Sequence, residues 1–256
     1  MQTKKHGQEQ ENIGDGVNEF IQRNRKGIFA LLAIIVLSLI GAVVFLSIKD
    51  NLDKKAAAEL EDIAKKYDEL IVLIDDDEME EDIDALVLEI ETFAGKTRGF
   101  SGSKAWEMAG QIHSKRKDWE NAYTAFLNAS KTGKRTSLGP ITLFNAAVAA
   151  EELGNYEIAL DLLQQCLAHK FEFPSAPRAQ FAVGRLNEQL GNTSEATEAY
   201  RTLMIKWPEL PMWSQLARNR IVAIDIAAMS IAAMSIATID TDAIESSETG
   251  TETIEE

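Results

Sequence analysis

Several residue types are scarce in this chain, and their scarcity excludes whole classes of function. Of its 256 residues, one is cysteine, three are histidine and five are proline. The single cysteine, Cys166, cannot form an intramolecular disulfide or a multi-cysteine zinc site. The sequence contains no phosphate-binding glycine loop, dinucleotide-binding fingerprint or nucleophile-elbow motif. We therefore predict a protein that is not an enzyme and that holds no metal and no cofactor.

Positive charge is also limited. Lys and Arg number 26 against 41 Asp and Glu, which gives a formal net charge of −15. Because phosphate binding needs clustered Lys and Arg, we do not expect a nucleic-acid partner. No Lys or Arg follows Arg220, and the chain ends in an acidic stretch. We predict a low-complexity, acidic and disordered tail over residues 227–256.

A long apolar run lies near the start of the chain. Residues 27–48, GIFALLAIIVLSLIGAVVFLSI, contain no charged side chain. As a helix they would measure about 33 Å, enough to cross a hydrocarbon core of about 30 Å. A cleaved signal peptide would have a shorter apolar core and a small-residue cleavage site, whereas Lys49 and Asp50 follow this run directly. We therefore predict a retained transmembrane helix.

The charges that flank this run favour one orientation. Arg23, Arg25 and Lys26 stand before it, whereas the lysines after it are mixed with acidic residues. Positive residues accumulate on the cytoplasmic side of membrane spans. Residues 1–26 are therefore predicted to be cytoplasmic, and the large C-terminal part is predicted to lie outside the cytoplasm.

A repeat of 37 residues occupies the second half of the chain. Two of its positions hold small residues, which let helices approach closely, and a third holds a large residue four positions after a small one, on the same helical face. Lys117-Asp118, Gly154-Asn155 and Gly191-Asn192 are turn signals inside the units. Each unit is therefore predicted to be a helix–turn–helix hairpin. The recurring sets are Gly110, Ala147 and Gly184, then Ala122, Ala159 and Ala196, then Phe126, Leu163 and Tyr200.

These residues resemble the tetratricopeptide repeat (TPR) family over about residues 103–210. The usual unit has about 34 residues, and the extra ones here fall between units. His113, Ala150 and Asn187 stand where the family often has tyrosine. The resemblance implies an all-α fold, in which a single transmembrane helix precedes a TPR-like α-solenoid of helix–turn–helix repeats with a C-terminal capping helix. The three repeats and the cap are placed at residues 103–226.

Two flanking segments leave alternatives open. Residues 49–102 are predicted to be helical, and Ala85 stands 37 residues before Ala122. This segment is therefore either a helical stalk or a degenerate first repeat. Downstream, residues 212–227 predict the helix that caps the last apolar face of the solenoid. The tandem repeat IAAMSIAAMSIATID at residues 226–240 extends this helix, forms a second membrane span or is a low-complexity duplication, which is the preferred interpretation.

The resemblance also implies a binding groove, because the first helix of each hairpin lines a concave surface in this family. An apolar middle with mixed charge at its edges suits an extended or helical peptide. For Phe144 and Phe181, the alternative is simple packing between neighbouring units. The groove residues implied are Lys104, Glu107, Gln111, Lys115, Ile141, Phe144, Val148, Glu151, Arg178, Phe181, Arg185 and Glu188.

The order of segments is similar to that of ancillary Sec translocon subunits of the YfgM type, which are bacterial TPR proteins linked to periplasmic chaperones. This resemblance implies a non-enzymatic scaffold in the bacterial inner membrane, with a cytoplasmic N-terminus and a periplasmic C-terminal domain. Its groove would bind protein or peptide partners in translocation, folding or assembly, and the implied partners are translocon subunits or periplasmic chaperones. The alternative is a self-associating structural component of the cell envelope, which would be a homo-oligomer.

Overall fold

The chain divides into two units in the computed structural model, which describes the backbone of residues 3–75 and 77–249. The units are Met1–Glu59 and Leu60–Glu256. Throughout the described residues the regular structure is helical, with no strand. The predicted all-α fold is therefore confirmed.

The first unit is built from helix α1, which spans Thr3–Leu70 and continues into the second unit. The stretch from Phe20 onward contains an 18-residue window with a mean hydropathy of 3.1, none of it buried within the protein. The predicted segment 27–48 lies in this stretch, and its side chains, such as Phe29 and Phe45, are exposed. Among the described helices, α1 is the one that is long and apolar enough to cross a membrane.

The second unit is a chain of helices that pack in sequence. From α2 to α9, consecutive helices contact each other. Contacts also join α3 to α5 and α7 to α9. Short connections make neighbouring helices antiparallel, so pairs of them form the hairpins of a solenoid. The bounds are α2 Glu80–Lys96, α3 Gly99–Lys115, α4 Trp119–Thr132, α5 Leu138–Glu152, α6 Tyr156–Leu167, α7 Ala176–Gln189, α8 Thr193–Lys206 and α9 Pro211–Thr249.

The turn inside each predicted hairpin has the same backbone conformation. Lys117, Gly154 and Gly191, which are 37 residues apart, have φ values of 59°, 76° and 78°. This left-handed conformation ends a helix and returns the next amide to its last turn. The amides that follow donate to carbonyl oxygens five residues back: Asp118 to His113 at 2.9 Å, Asn155 to Ala150 at 2.9 Å and Asn192 to Asn187 at 2.8 Å.

The two helices of a hairpin meet at the recurring small residues. A Cβ atom on Gly110 would lie 2.6 Å from the Phe126 ring, and one on Gly184 would collide with the Tyr200 ring. In the middle repeat the same positions hold Ala147, and Leu163 across from it, both buried. The small positions are therefore points of close helix approach, as the 37-residue register predicts.

The residues upstream of the repeats also pack against them. Leu60 and Ile63 at the end of α1 are buried, as are Ile83 and Ile90 on α2. Two 3₁₀ turns lie between α1 and α2, at Ile71–Leu73 and Asp77–Met79. From Leu60 onward this segment therefore forms a further helical hairpin that covers one end of the repeats.

Downstream of the repeats, the structure differs from the expected tail in one respect. Helix α9 continues through residues 227–249 instead of ending near residue 227. The tandem repeat at residues 226–240 therefore extends the capping helix. The predicted tail residues 250–256 lie outside the described residues.

Candidate partner-binding groove

On α3, the implied groove residues bind one another and the end of α1. Glu107 has 6% of its surface exposed and accepts hydrogen bonds from Lys104 Nζ at 2.9 Å and Gln111 Nε2 at 3.2 Å. The Tyr67 hydroxyl donates to Gln111 Oε1 at 2.6 Å. Burial, with Glu107 nearby, raises the pKa of Tyr67 to about 12. This part of the inner surface is thus occupied by the chain itself, and Lys115 stays exposed.

On α5, the structure separates one predicted residue from two others. Phe144 is 6% exposed and lies 6.1 Å, ring to ring, from Phe173, while the Arg178 guanidinium lies 5.4 Å from its ring centre. Phe144 therefore packs between neighbouring units, which was the alternative for this residue. Ile141 and Val148 are half-buried, and because they are two turns apart they share one face of the helix.

On α7, Phe181 joins the third repeat to the capping helix. Its ring centre lies 5.3 Å from that of Tyr200 and 5.7 Å from that of Trp213 on α9. Phe181 is half-buried in this cluster, whereas Arg178, one turn earlier, is exposed. Phe181 therefore packs within the solenoid and keeps part of its ring accessible.

Carboxylates on the inner helices bind arginines from the next inner helix. Glu151 on α5 pairs with Arg185 on α7 through both of its oxygens. Glu188, which is 37 residues after Glu151, pairs with Arg220 on α9 and accepts the Tyr200 hydroxyl. Burial alone would raise the pKa of Glu188, but the hydrogen bonds from Arg220 and Tyr200 hold it below its usual value. These pairs connect α5 to α7 and α7 to α9.

On α5 and α7, the implied groove residues that keep accessible surface and make no ion pair with the described part of the chain are few and mostly apolar. They are Ile141 and Val148 on α5 with Phe181 and Arg178 on α7. Apolar side chains beside one exposed cation can contact a peptide that carries apolar residues and an acidic group. Glu107 and Gln111 on α3, with Phe144 and Arg185, lie at the same surface but are bound by other side chains.

Sequence reasoning missed three residues that shape this surface. Tyr67 donates to Gln111 on α3, Arg220 binds Glu188 on α7, and Trp213 packs against Phe181 on α7. The recurrence of Glu151 and Glu188 at the repeat spacing was a usable signal for a repeated ion pair across the inner helices. Nothing in the register indicated Tyr67, because it lies outside the three recurring units.

The described residues offer little reactive chemistry. Cys166 is 1% exposed, its Sγ donates to the Leu163 carbonyl oxygen at 3.1 Å, and burial raises its pKa to about 12. A thiol of this kind is not a nucleophile at neutral pH, so Cys166 serves as a packed core residue. Within the described part of the chain, no group of three or more His, Cys, Asp or Glu residues is arranged to hold a metal ion.

Comparisons with known proteins agree with this architecture. The tetratricopeptide repeat family model matches residues 144–211. A TPR repeat-containing protein of Treponema pallidum (strain Nichols) is 32% identical over 225 residues, which cover 82% of this chain and 93% of that protein. The solved TPR-like repeats of Podosopora anserina superpose with a TM-score of 0.52 at 12% identity, over 75% of this chain and 98% of that one, which is a likeness of fold alone. By its sequence relationship and its fold, the chain belongs to the family of tetratricopeptide repeat proteins.

Proposed function

We propose that this protein is a non-enzymatic scaffold that binds peptide segments of other proteins on the concave face of its solenoid. The observation that carries the proposal is the apolar face of Ile141 and Val148, which stays accessible. The polar residues around it are already engaged, as in the pair of Glu151 and Arg185. A preformed surface of this kind binds a peptide with little loss of its own conformational entropy.

The proposed location is the bacterial inner membrane. Residues 27–48 of α1 would span it once, with residues 1–26 in the cytoplasm and the solenoid in the periplasm. The length and hydropathy of α1 and the flanking charges support this topology. A reporter that is active only outside the cytoplasm, fused after residue 55, should be active, and a cytoplasmic reporter there should be silent. The reverse result would contradict the topology.

The proposed partners are translocon subunits or periplasmic chaperones, and the groove assignment predicts which variants lose them. Ile141→Glu with Val148→Glu should abolish recovery of partners after crosslinking in native membranes, because two charges would replace the apolar face. Ile158→Glu with Ile205→Glu is the matched control, since both isoleucines are exposed on the outer helices α6 and α8. The control should recover partners as the unchanged protein does.

The folding of these variants is measured by helical circular dichroism and thermal unfolding, so that lost binding is separated from lost structure. Phe144 is left unchanged, because replacing a side chain that is 6% exposed would disturb the core. Equal recovery of partners by the groove variant and the control would refute the groove assignment.

Self-association is the second candidate function, and one observation favours it. The part of α9 that follows Asp225 exposes Ile226, Met229, Ile231 and Met234, and groups of exposed apolar side chains often mark contacts between proteins. Crosslinking would then recover the protein alone, and Met229→Glu with Met234→Glu would reduce the sedimentation coefficient of the detergent-solubilised chain. Unchanged sedimentation would exclude an oligomer held by these side chains.

A further inference from the structure

The loops that join one hairpin to the next lie along one edge of the second unit, here named the inter-hairpin edge. They connect α2 to α3, α4 to α5, α6 to α7 and α8 to α9. Each loop follows an outer helix and precedes an inner one, so all four are at the same ends of the stacked hairpins. The chain also enters the second unit on this side, because Leu60 lies at the end of the packed part of α1 opposite its 3₁₀ turns.

A cleft of about 680 Å³ opens on this edge between the second and third loops. Four cationic side chains line it, from Lys131, Lys134, Arg135 and Lys170. No Asp or Glu is among its lining residues in the described chain. In a protein with a net charge of −15, such a local excess of positive charge attracts anions.

The cations of the cleft differ from those of the concave face in having no carboxylate partner. Among the described residues, Lys131, Lys134, Arg135 and Lys170 make no ion pair, whereas Arg185 and Arg220 each bind a glutamate. Lys170 Nζ instead lies 4.7 Å from the centre of the Phe171 ring. Their charge is therefore available to an external anion.

The wall of the cleft is held in place by His169. Its Nε2 donates to the Lys134 carbonyl oxygen at 3.2 Å, and its Nδ1 accepts from the Phe171 amide at 3.3 Å, which fits one neutral tautomer. Gly139 leaves room for this ring, since a Cβ there would lie 2.9 Å from His169 Nε2. The loops on both sides of the cleft are thus tied together before any ligand arrives.

Positive charge continues along the edge on either side of the cleft. Lys96 precedes the first loop, Arg98 lies in it, and Lys206 precedes the last loop. The acidic residues in these loops are Glu172 and Glu209, and at the entry point Glu61 and Asp62 are both paired with Lys65. A row of separated cations that extends over successive loops suits a planar array of anions better than one small ligand.

The opposite edge, formed by the turns inside the hairpins, has a different proportion of basic and acidic residues. Its basic residues are clustered in the first repeat, and acidic residues occur at every turn. The basic residues are Lys115, Arg116 and Lys117, and the acidic ones are Asp75, Glu78, Glu80, Glu81, Asp82, Asp118, Glu120, Glu151, Glu152, Glu157, Glu188 and Glu195. The two edges therefore differ in the sign of their predominant charge, and the inter-hairpin edge is the one suited to an anionic surface.

We propose that the inter-hairpin edge binds the phosphate groups of anionic phospholipids, with the cleft around Lys134, Arg135 and Lys170 as its strongest site. This inference rests on the proposed membrane anchor. Eleven residues separate residue 48 from Leu60, so even a fully extended link keeps this entry point within about 40 Å of the span. Tethering at that distance raises the local concentration of headgroups, and each cation near an anionic surface strengthens binding about fivefold.

The test uses the full chain in lipid nanodiscs, made either of phosphatidylcholine or of an equimolar mixture with phosphatidylglycerol. A fluorophore on Ser137→Cys, in the second loop, reports contact with headgroup-labelled quencher lipid, because Ser137 is exposed while Cys166 is buried. A fluorophore on Gln189→Cys reports the opposite edge. We expect quenching at position 137 only in the phosphatidylglycerol discs, with a several-fold loss at high salt because exposed charges are screened.

Two triple variants of equal charge change identify the residues responsible. Lys134→Gln with Arg135→Gln and Lys170→Gln should reduce the quenching several-fold. The matched control replaces three exposed cations elsewhere on the second unit that also make no ion pair among the described residues, and it should keep the quenching: Lys117→Gln, Arg201→Gln and Arg218→Gln. Equal quenching in both lipid mixtures, or in both triple variants, would overturn the proposal.

Other occupants give distinct results. A change in fluorescence on adding inorganic phosphate, or a peptide of residues 240–256, to the phosphatidylcholine discs would assign the cleft to a soluble anion or an acidic peptide and overturn the lipid assignment. A chain that fails to enter the discs contradicts the anchor. Flotation of that chain with vesicles of the same two mixtures still decides whether the edge binds phosphatidylglycerol.

Discussion

The middle and third repeats fill the same register positions in different ways. The middle repeat has Ala147 on its inner helix and Leu163 on its outer helix, whereas the third has Gly184 and Tyr200. A larger outer side chain thus accompanies a smaller inner one, and all four sites are buried or close-packed. The repeat preserves the space shared by two helices, while the residue at either position changes.

The same two repeats also differ in how they hold their carboxylate. Among the residues that the structure describes, Glu151 is bound by Arg185 alone, whereas Glu188 is bound by Arg220 and by the Tyr200 hydroxyl. In the third repeat one side chain, Tyr200, therefore serves both the close packing and the polar network. We conclude that the third repeat is the more sensitive of the two to single substitutions.

The largest expected effect comes from replacing the packed pair of the third repeat by that of the middle repeat, first one residue at a time and then both together. Gly184→Ala places a methyl group against the Tyr200 ring and should lower the free energy of unfolding by about 1–3 kcal/mol, as overpacking does. Adding Tyr200→Leu recreates the middle pair, so the double variant should be more stable than the sum of the single effects predicts. Urea unfolding of the full chain in detergent measures all three variants.

Gly95→Ala is the control for this substitution. Gly95 lies in α2, and a Cβ there would meet nothing within 4 Å. The change should stabilise the protein by about 0.5–1 kcal/mol, because alanine favours a helix over glycine. If Gly184→Ala stabilised the protein in the same way, the close approach of α7 and α8 at this point would be wrong.

The second prediction isolates the polar role of Tyr200. Tyr200→Phe keeps the ring but removes its hydrogen bond to Glu188, and it should cost about 1–2 kcal/mol because the carboxylate loses a buried donor. Leu163→Met in the middle repeat, a nearly volume-conserving change, is the control and should cost less. An equal cost in both repeats would contradict the special role of the third.

The half-buried Tyr67 and the buried Tyr200 also predict the response of the folded state to high pH. Burial, together with nearby glutamates, raises the pKa of Tyr67 from 10.0 to about 12 and raises that of Tyr200 as well. Each neutral phenol is therefore favoured in the folded state, so its contribution is complete below about pH 10 and is lost as the pH rises through the folded pKa. Tyr67→Phe with Tyr200→Phe should flatten the decline in stability between pH 10 and pH 12, measured by urea unfolding.

Much of the fold was predictable because the residue types at the repeated positions indicate where neighbouring helices pack closely. Close helix packing requires a small residue, as at Gly110 and Gly184, and a positive φ favours glycine, as at Gly154 and Gly191. These local requirements restrict the residue type and can therefore be recognised in the sequence. The continuation of α9 was less predictable, since the five-residue period at 226–240 gives no clear helical stripe.

The candidate groove was less predictable than the helices. Family resemblance placed Phe144 on the inner surface, but Phe173, from a loop of irregular length, packs against it. Glu107 and Gln111 are similarly engaged by Tyr67, from outside the recurring units. Such contacts depend on residues distant in sequence and in non-repeating segments, so a periodic pattern could not indicate them.

The third prediction compares the two ion pairs across the inner helices. Arg185→Gln and Arg220→Gln should each cost about 0.2–1 kcal/mol, because both arginines are nearly half-exposed at 46% and 48% and such pairs are weak. Arg220→Gln should have the larger effect, since Glu188 is only 14% exposed. An equal or opposite order in urea unfolding would contradict this ranking.

The pH dependence of the same pair follows from the lowered pKa of Glu188. Because the carboxylate is favoured in the folded state, its contribution is present above the usual pKa of 4.5 and fades as the pH falls below it. Arg220→Gln should therefore destabilise the protein at pH 7, and this cost should shrink as the pH falls below 4.5. A cost that stays constant over this range would show that the arginine acts through packing of its stem.

The smallest expected effect concerns the turn of the first repeat, where Lys117 stands at the position of Gly154 and Gly191. Its φ of 59° is unfavourable for a residue with a Cβ by about 1 kcal/mol. Lys117→Gly removes that strain but adds conformational freedom to the unfolded chain. The net gain in the free energy of unfolding should therefore be small, about a few tenths of a kcal/mol. Gly154→Ala, with open space around its Cβ, should instead cost about 1 kcal/mol through backbone strain alone. If Lys117→Gly lowered the urea midpoint, the lysine side chain would have to contribute a contact that outweighs the strain of its turn.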